Sequence, residues 1–304
     1  MKSIRHIIEF VAVYALILLI RPLSKDAIVT LGRNLGLLAF LFSTKRRKSA
    51  IINLNIMFSE TKSLNQKTQI IKDSFKNLAV SALQSIWVTH NTRERVCQLI
   101  EEEPEGLEIL KKCLEKKKGI FFLTAHYGNW EVMGLNHGLL GICPLSSIAR
   151  KLDNPYLNSI AEKLRTSTGN KIFYRDDSLI KIVRELKNNN SVAVMMDQNT
   201  AKGGIFVDFF GVKASTPRAV AQLSHRIGTP VLPMFSYPTK KGTYKIKYGP
   251  ELTLKNSTDK NKVILDWTQE MEKHIEYIIR KHPEPWMCGH RRWKTRPKEE
   301  QKLY

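Results

Sequence analysis

His126 and Glu131 are the two side chains whose types and spacing are best suited to chemistry. They lie in the run 119–131, where apolar residues lead into a histidine, a glycine and the start of a predicted helix. On one helix, a separation of five residues would put the two side chains about 140° apart, on different faces. They converge only if His126 follows the strand and Glu131 belongs to the first helical turn. A histidine oriented by a carboxylate is the arrangement that a general base needs.

The residues between them favour such a turn. Gly128 tolerates a positive φ and Asn129 is a good N-cap, so a strand, a turn and a helix start are predicted in that order. The competing interpretation is a core histidine that closes the strand, with a glutamate that only complements the helix dipole. The spacing alone leaves both interpretations open.

Other kinds of site have little support. The four cysteines are Cys97, Cys113, Cys143 and Cys288, and none forms a C-x-x-C pair, so neither a disulfide framework nor a zinc ribbon is favoured. No serine lies in a G-x-S-x-G elbow and no cysteine adjoins His126, which argues against a covalent enzyme intermediate. We expect a reducing compartment, no metal and no cofactor.

The charge balance predicts anionic partners. The chain of 304 residues has 49 Lys and Arg against 28 Asp and Glu, a net charge of +21. A nucleic-acid-binding protein would explain this charge. It would not explain the apolar N-terminus, and no RNP, zinc-finger or P-loop pattern occurs, so we expect no nucleic-acid partner. A non-catalytic protein of the membrane surface is a further alternative.

The N-terminus predicts a membrane anchor. Between His6 and Ile20 the only charge is Glu9. Such a helix of about 22 Å is shorter than the hydrocarbon core of about 30 Å, so it spans only with snorkelling flanks or local thinning. A second apolar run, 28–42, contains Arg33, and four basic residues follow at 45–48.

These basic residues would attract anionic headgroups and favour the cytoplasmic side for the rest of the chain. A cleaved signal peptide is the alternative, but no A-x-A-like site follows the apolar run. We therefore predict an N-terminal membrane anchor and basic belt at 1–44, and a catalytic domain at 45–304.

The remaining pattern predicts an α/β fold. Apolar residues recur at three-to-four spacing over 50–114, which is typical of helices. Strands are then predicted at 119–124, 171–174, 191–196, 231–237 and 244–248, and helices at 157–168, 179–187, 217–226 and 259–280. This alternation indicates a mixed, mostly parallel sheet flanked by helices, with an antiparallel edge at the turn 240–242.

The motif His-x-x-x-x-Glu after an apolar strand resembles that of the glycerolipid and lysophospholipid acyltransferase superfamily. One branch, the lipid A biosynthesis acyltransferases of the lauroyl or myristoyl type, is the most similar. The matching residues outside the first motif are Asp197, Gln198, Phe209, Phe210, Gly211, Thr216 and the run His290 to Pro297. The resemblance covers roughly residues 115–300 by motif and the whole chain by layout, including the N-terminal hydrophobic anchor.

The resemblance implies roles for individual residues. His126 would be the general base, Glu131 would hold its imidazole, and Arg150 would stabilise the reaction or hold an acceptor phosphate. Arg150 is also read as half of a solvated pair with Lys151, and Asp197 as a simple turn residue. The alternatives to Arg150 are Arg165, Arg175 and Arg218. The expected substrate-binding residues are Asp197, Gln198, Arg218, Arg291 and Arg292, with Asp197 at the carboxyl end of a parallel strand, where α/β sheets place ligand groups.

The implied reaction moves a fatty acyl chain from a thioester to a hydroxyl of a phosphorylated lipid A precursor. The family's usual donor is acyl-acyl carrier protein, an acidic carrier that suits a basic surface. An acyl-CoA donor and a lysophospholipid acceptor remain alternatives. The resemblance also implies the bacterial inner membrane, with the catalytic domain on its cytoplasmic side.

Overall fold

The structure, a computed structural model, describes residues 2–174, 178–253 and 259–304. Its helices are α1 Lys2–Ile20, α2 Lys25–Phe42, α3 Thr44–Phe58, α4 Leu64–Trp87, α5 Thr92–Leu99, α6 Leu107–Leu114, α7 Trp130–Leu140, α8 Pro155–Thr166, α9 Ser178–Lys187, α10 Ala219–Ile227 and α11 Lys260–Lys281. Its strands are β1 Ile120–Thr124, β2 Leu145–Ala149, β3 Lys171–Tyr174, β4 Ser191–Met195, β5 Gly204–Phe209, β6 Val212–Pro217, β7 Val231–Pro238 and β8 Tyr244–Tyr248.

A six-stranded sheet organises the fold. Its strand order is β3-β2-β4-β1-β7-β8, and every neighbouring pair is parallel except β7 and β8. The predicted α/β architecture with a mostly parallel sheet is therefore confirmed. The antiparallel edge is confirmed as well, and it turns at Gly242, whose φ is +75°.

The sequence did not reveal three of the strands. β2 reads Leu-Ser-Ser-Ile-Ala, which is weak in the β-branched and aromatic residues that mark a strand. β5 and β6 form a separate antiparallel hairpin that turns at Phe210 and Gly211, both with positive φ. A tight hairpin turn needs that backbone conformation, but Asn-Gly, rather than Phe-Gly, is its usual sequence signal.

β1 lies at the centre of the core, and all five of its residues are buried. Phe121 and Leu123 face a cluster formed by α3, α4, α9, α10, α11 and the C-terminal segment. Ile120 and Phe122 face the opposite cluster, which includes residues of α6 and α7. Because side chains alternate along a strand, the two faces of β1 pack against different clusters, and helices cover both faces.

The N-terminal helices pack on this core. α2 lies against α4 at Gly36, where a Cβ would come within 2.5 Å of the Lys76 backbone. Among the described residues, no single helix is both long enough and apolar enough to cross a bilayer, whereas α2 and α3, which meet at 90°, satisfy that criterion together as a bent pair. The N-terminal anchor stays a prediction.

A buried histidine ties α7 to the sheet. His137 is fully buried, and its ring nitrogens lie 2.7 Å from the Tyr248 hydroxyl and 3.0 Å from the Cys143 carbonyl oxygen. Burial lowers the pKa of His137 to about 4. The folded protein therefore holds this ring neutral at pH values where the unfolded chain takes up a proton.

We expect this histidine to make stability sensitive to acid. Since the folded pKa lies below the ordinary value of 6.5, its contribution is complete above pH 6.5 and is lost towards pH 4, by about 3 kcal/mol. Urea unfolding between pH 4 and 7 measures it. His137→Phe should be less stable than wild type at pH 7, and the gap should narrow towards pH 4. The exposed-site control His225→Gln should follow wild type, and parallel curves for wild type and His137→Phe would contradict the assignment.

Candidate active site

The predicted turn after β1 is confirmed. Gly128 has a φ of +59°, and a Cβ there would meet the Ser236 carbonyl oxygen at 2.0 Å, so only glycine fits. Asn129 is the N-cap of α7, and its side chain accepts a hydrogen bond of 3.1 Å from the Val132 amide. The turn leaves His126 at the carboxyl end of β1 with its side chain 20 % exposed.

Strand register brings His126 to Asp197. β1 and β4 are parallel neighbours, and Thr124 pairs with Met195 at their carboxyl ends. The Met196 amide still donates to the Thr124 carbonyl oxygen, at 3.2 Å. His126 and Asp197 each lie two residues beyond this pair, so they stand side by side at the carboxyl ends of the two strands. His126 Nδ1 lies 2.9 Å from Asp197 Oδ1.

The two groups stabilise each other's charged form. Asp197 is 2 % exposed, and its second oxygen accepts a hydrogen bond of 2.9 Å from the Trp286 indole. Burial by itself would raise the pKa of Asp197, but the charge and hydrogen bond of His126 and the Trp286 bond lower it. Burial would likewise lower the pKa of His126, but Asp197 raises it above its ordinary value.

The other ring nitrogen of His126 has a different neighbour. Gln198 Nε2 lies 3.2 Å from His126 Nε2, and the Trp130 ring packs edge-on against the imidazole with centroids 5.0 Å apart. With the Nδ1 proton donated to Asp197, Nε2 carries the lone pair and accepts from the Gln198 amide. A substrate hydroxyl that gives its proton to Nε2 must take the place of that amide.

The C-terminal segment, residues 282–304, closes over the loop 197–199. The Met287 amide donates to the His126 carbonyl oxygen at 3.0 Å, and Asn53 on α3 donates to the carbonyl oxygen of Cys288 at 2.7 Å. Each loop residue then has a partner in the segment: Asp197 binds Trp286, Gln198 binds Arg292, and Asn199 binds both His290 and Thr295.

Two residues of this segment contact the loop although neither was an expected site residue. Trp286, which binds Asp197, is 1 % exposed and packs in the core together with Trp293, which is 0 % exposed. His290 accepts a hydrogen bond of 3.2 Å from the Asn199 amide, and burial lowers its pKa to about 4, so it stays neutral. Buried partners from a distant segment leave no local sequence signal.

Glu131 does not hold the imidazole, which corrects the expected contact. It lies in the first turn of α7, and its carboxylate forms a forked ion pair with Arg165 of α8, with one bond of 2.9 Å from Nε to Oε2. The Glu131 and Arg165 side chains are 19 % and 33 % exposed. In this structure Asp197 orients His126, and Glu131 orients an arginine.

Arg150 lies apart from this arrangement. Its side chain is 74 % exposed and pairs with Asp153, which is 84 % exposed. The alternative interpretation, a solvated surface residue, describes this geometry. Of the three alternative arginines, Arg165 contacts Glu131, Arg218 is exposed at the N-cap of α10, and Arg175 lies outside the described residues.

The basic pair of the C-terminal motif divides between surface and interior. Arg291 is exposed, with its Nε 3.4 Å from the Ser49 hydroxyl. Arg292 is 0 % exposed, and its guanidinium donates to the Ser215 carbonyl oxygen at 2.8 Å and to the Thr216 hydroxyl at 2.6 Å. In this arrangement Arg292 cannot meet a substrate, which corrects the expected binding role.

An apolar cavity of about 280 Å³ adjoins Glu131 and Arg165. Apart from these two residues, Ser85 and Thr89, its walls are apolar side chains of α1, α4, the loop before α8, and α8. They are Val13, Ile17, Ile86, Leu152, Leu157, Ile160, Ala161 and Leu164. Among the described residues, no group of three or more His, Cys, Asp or Glu side chains is arranged to hold a metal ion.

Comparison with known proteins gives the site a context. The chain is 27 % identical over 280 residues to the lipid A biosynthesis palmitoleoyltransferase of Escherichia coli K12, covering 90 % of this chain and 87 % of that protein. It is 25 % identical over 283 residues to the lipid A biosynthesis lauroyltransferase of the same organism, covering 92 % and 89 %.

A shorter match, 25 % identical over 198 residues, joins 62 % of this chain to 58 % of a phosphatidylinositol mannoside acyltransferase of Mycobacterium tuberculosis. The model of the family described as bacterial lipid A biosynthesis acyltransferase matches residues 1–295, and the chain therefore belongs to that family of acyltransferases.

Proposed function

We propose that this acyltransferase moves an acyl chain from a thioester to a hydroxyl of a lipid A precursor, with His126 as general base and Asp197 as the group that orients it. One observation carries the proposal: Asp197 binds Nδ1 at 2.9 Å, which leaves Nε2 to act as the proton acceptor. A buried carboxylate that fixes the tautomer and supports the imidazolium is what a hydroxyl-activating histidine requires.

The reaction then proceeds by direct transfer. Nε2 takes the proton as the acceptor oxygen attacks the thioester carbonyl, and the C–S bond breaks from the tetrahedral intermediate. His126 returns its proton to the departing thiolate, so the enzyme ends as it began. Asp197 stabilises the transient imidazolium, and Gln198 withdraws from Nε2 to admit the hydroxyl and then binds the acceptor.

Arg165 is the cation proposed for the developing oxyanion or an acceptor phosphate. Glu131 forms an ion pair with one side of the Arg165 guanidinium. Because the Arg165 side chain is partly exposed, its other N–H groups can face a ligand. Fixed, forked donors stabilise such an anion better than a mobile point charge does. Glu131 thus serves the reaction through Arg165.

The apolar cavity beside this ion pair supports a place for the acyl chain. Its polar side chains include Glu131 and Arg165, while the walls from α1 and α8 are hydrocarbon. A thioester placed with its carbonyl at the polar residues would run its chain along those walls. The relatives named for lipid A and for phosphatidylinositol mannoside favour a phosphorylated glycolipid as acceptor.

We further propose that residues 1–44 hold the enzyme at the cytoplasmic face of the inner membrane. Apolar side chains lie exposed along both N-terminal helices, among them Ile4, Ile8, Val11, Leu31, Leu35, Leu38 and Phe42. Exposed apolar surface of this extent marks an interaction surface, and the exposed Lys45 and Lys48 beside it suit anionic headgroups. Acyl carrier protein is the proposed donor, with acyl-CoA as the alternative.

Removing the Asp197 charge tests the mechanism. Asp197→Asn should lower kcat by about 10²- to 10⁴-fold, as should His126→Ala, while the melting temperature changes little. Since Asp197 raises the pKa of His126, the acid limb of the residual rate should move to lower pH in Asp197→Asn. Asp153→Asn, an exposed-site control, should match wild type.

The assay uses purified enzyme, a lipid A precursor and either acyl-acyl carrier protein or acyl-CoA, with mass spectrometry of the lipid product. Wild-type rates in His126→Ala would disprove the general base. Unchanged rates in Asp197→Asn would show that a group other than Asp197 orients His126. Lipid A mass profiles from cells with and without the gene then identify the acceptor. If lipid A from cells without the gene lacks no acyl chain, lipid A is not the acceptor.

The two arginines give a second test. Arg165→Ala should lose about 10²- to 10³-fold in kcat, the range for one oxyanion donor, and Arg165→Lys should keep binding better than turnover. Arg150→Ala should stay within about twofold, because an exposed ion pair contributes little. The reverse order, measured as kcat and KM on the same substrates, would reinstate Arg150.

Vesicle sedimentation tests the membrane surface. Replacing Leu35 and Leu38 together by Gln removes two exposed apolar side chains from α2 and should weaken binding to phosphatidylethanolamine–phosphatidylglycerol vesicles by about 2 kcal/mol, more than tenfold. The matched control replaces the exposed pair Leu179 and Ile180 of α9 by Gln. Equal losses in both variants would contradict a specific role for α2.

A further inference from the structure

A fully buried ion pair lies behind the loop 197–199. Glu272 of α11 and Arg292 are both 0 % exposed, with Arg292 Nη2 3.2 Å from Glu272 Oε2. Within the described part of the chain, three atoms of this pair have no hydrogen-bond partner: both carboxylate oxygens of Glu272 and the Nε of Arg292. Burying two charges costs more than their attraction returns unless such atoms are satisfied. The pair is therefore a poor source of stability, and what it holds in place is the better explanation for it.

Arg292 is the link from this pair to the active site. Its Nη1 donates to the Ser215 carbonyl oxygen and, at 3.4 Å, to the carbonyl oxygen of Gln198, while its Nη2 donates to the Thr216 hydroxyl. The guanidinium also lies 5.1 Å from the centre of the Phe209 ring. One buried cation thus joins the hairpin β5–β6 to the loop that carries Asp197 and Gln198.

Glu272 supplies the charge that fixes this cation. Three charged groups act on its carboxylate: Arg292, and the acidic residues Asp197 and Glu276. Burial raises the pKa of Glu272 to about 7, and the attraction of Arg292 offsets only part of that effect. Because Glu272 interacts electrostatically with Asp197, the charge of Glu272 also affects the residue that binds His126.

We propose that Glu272 is a positioning residue for acyl transfer: its carboxylate fixes Arg292, which holds the Gln198 backbone so that Asp197 and Gln198 meet the two ring nitrogens of His126. The inference rests on the proposed general-base role of His126. Without the carboxylate, Arg292 is an uncompensated buried charge, and the backbone that it holds loses its fixed position.

Glu272→Gln in the full-length enzyme tests this role. It should lower kcat at least tenfold with KM within about twofold of wild type, because the loop and not the substrate surface is disturbed. Glu185→Gln is the matched control. Glu185 lies on α9, its side chain is 7 % exposed, and it pairs with Lys171 of β3 at 2.9 Å. That variant should keep wild-type kcat, and unchanged kcat in Glu272→Gln would refute the proposal.

The acid limb of kcat/KM gives a readout that a purely structural role would not move. Wild type should approach a slope of two in log rate against pH, because both His126 and Glu272 must be deprotonated. Glu272→Gln should show a slope of one. The same slope in both enzymes would overturn the proposal.

A double variant separates positioning from stability. Glu272→Leu with Arg292→Met removes both charges and should fold at least as well as Glu272→Gln, since apolar replacement of a buried pair is often neutral or stabilising. We expect it to stay slow, because nothing then holds the Gln198 carbonyl. Recovery of wild-type kcat would refute the positioning role. An active His126→Ala, run in parallel, would instead refute the general base on which the inference depends.

Discussion

The Asp197 carboxylate is the constraint on which the rest of the site depends. A charge with 2 % exposure survives only if its oxygens are bonded, and here one oxygen binds the His126 ring and the other the Trp286 indole. His126 follows β1, Asp197 follows β4, and Trp286 lies in the C-terminal segment. The sheet must therefore place β1 beside β4, and the C-terminal segment must fold back over their carboxyl ends. A shift of β4 by one residue would turn the carboxylate to the other face of the sheet.

The C-terminal segment carries a buried arginine whose charge and terminal N–H groups have partners inside the core. Its Arg292 is taken fully inside, with Glu272 as counter-charge and three oxygen atoms as hydrogen-bond acceptors. The same segment contributes two buried tryptophans. The Trp286 indole donates to Asp197, and the Trp293 indole donates to the Val212 carbonyl oxygen of β6. Helices α3 and α4 secure it through Asn53 and Ser74, so the helices that precede the sheet in sequence also support the site.

The acidic residues Asp197 and Glu131 have different partners in the structure. Asp197 is buried and makes the imidazole a stronger base, whereas Glu131 is half-buried and holds Arg165 at the mouth of an apolar cavity. In the proposed mechanism, His126 with Asp197 would transfer the proton, and Arg165 with Glu131 would stabilise the anion. The cavity wall includes α1, whose other face carries exposed apolar side chains, so the polar site stands at the edge of the surface proposed to meet the membrane.

The sequence alone determined the local features. The apolar run before His126, with Gly128 and Asn129 after it, specified a strand, a turn and a capped helix, because these residue types restrict φ or cap a helix without distant help. The alternation of later strands and helices specified a mostly parallel sheet, and residue types and motifs predicted His126, Glu131, Asp197 and Gln198 as candidate site residues.

Only the tertiary structure decided which of those residues meet. That Asp197 rather than Glu131 binds His126 follows from the order and register of β1 and β4, which are 71 residues apart at the contact. That Arg292 is buried and Arg150 is exposed follows from where the C-terminal segment and β2 lie, although both residues stand in basic sequence. Spacing along the chain fixes neighbours within a turn or a strand, whereas pairing between distant strands depends on the packing of the whole core.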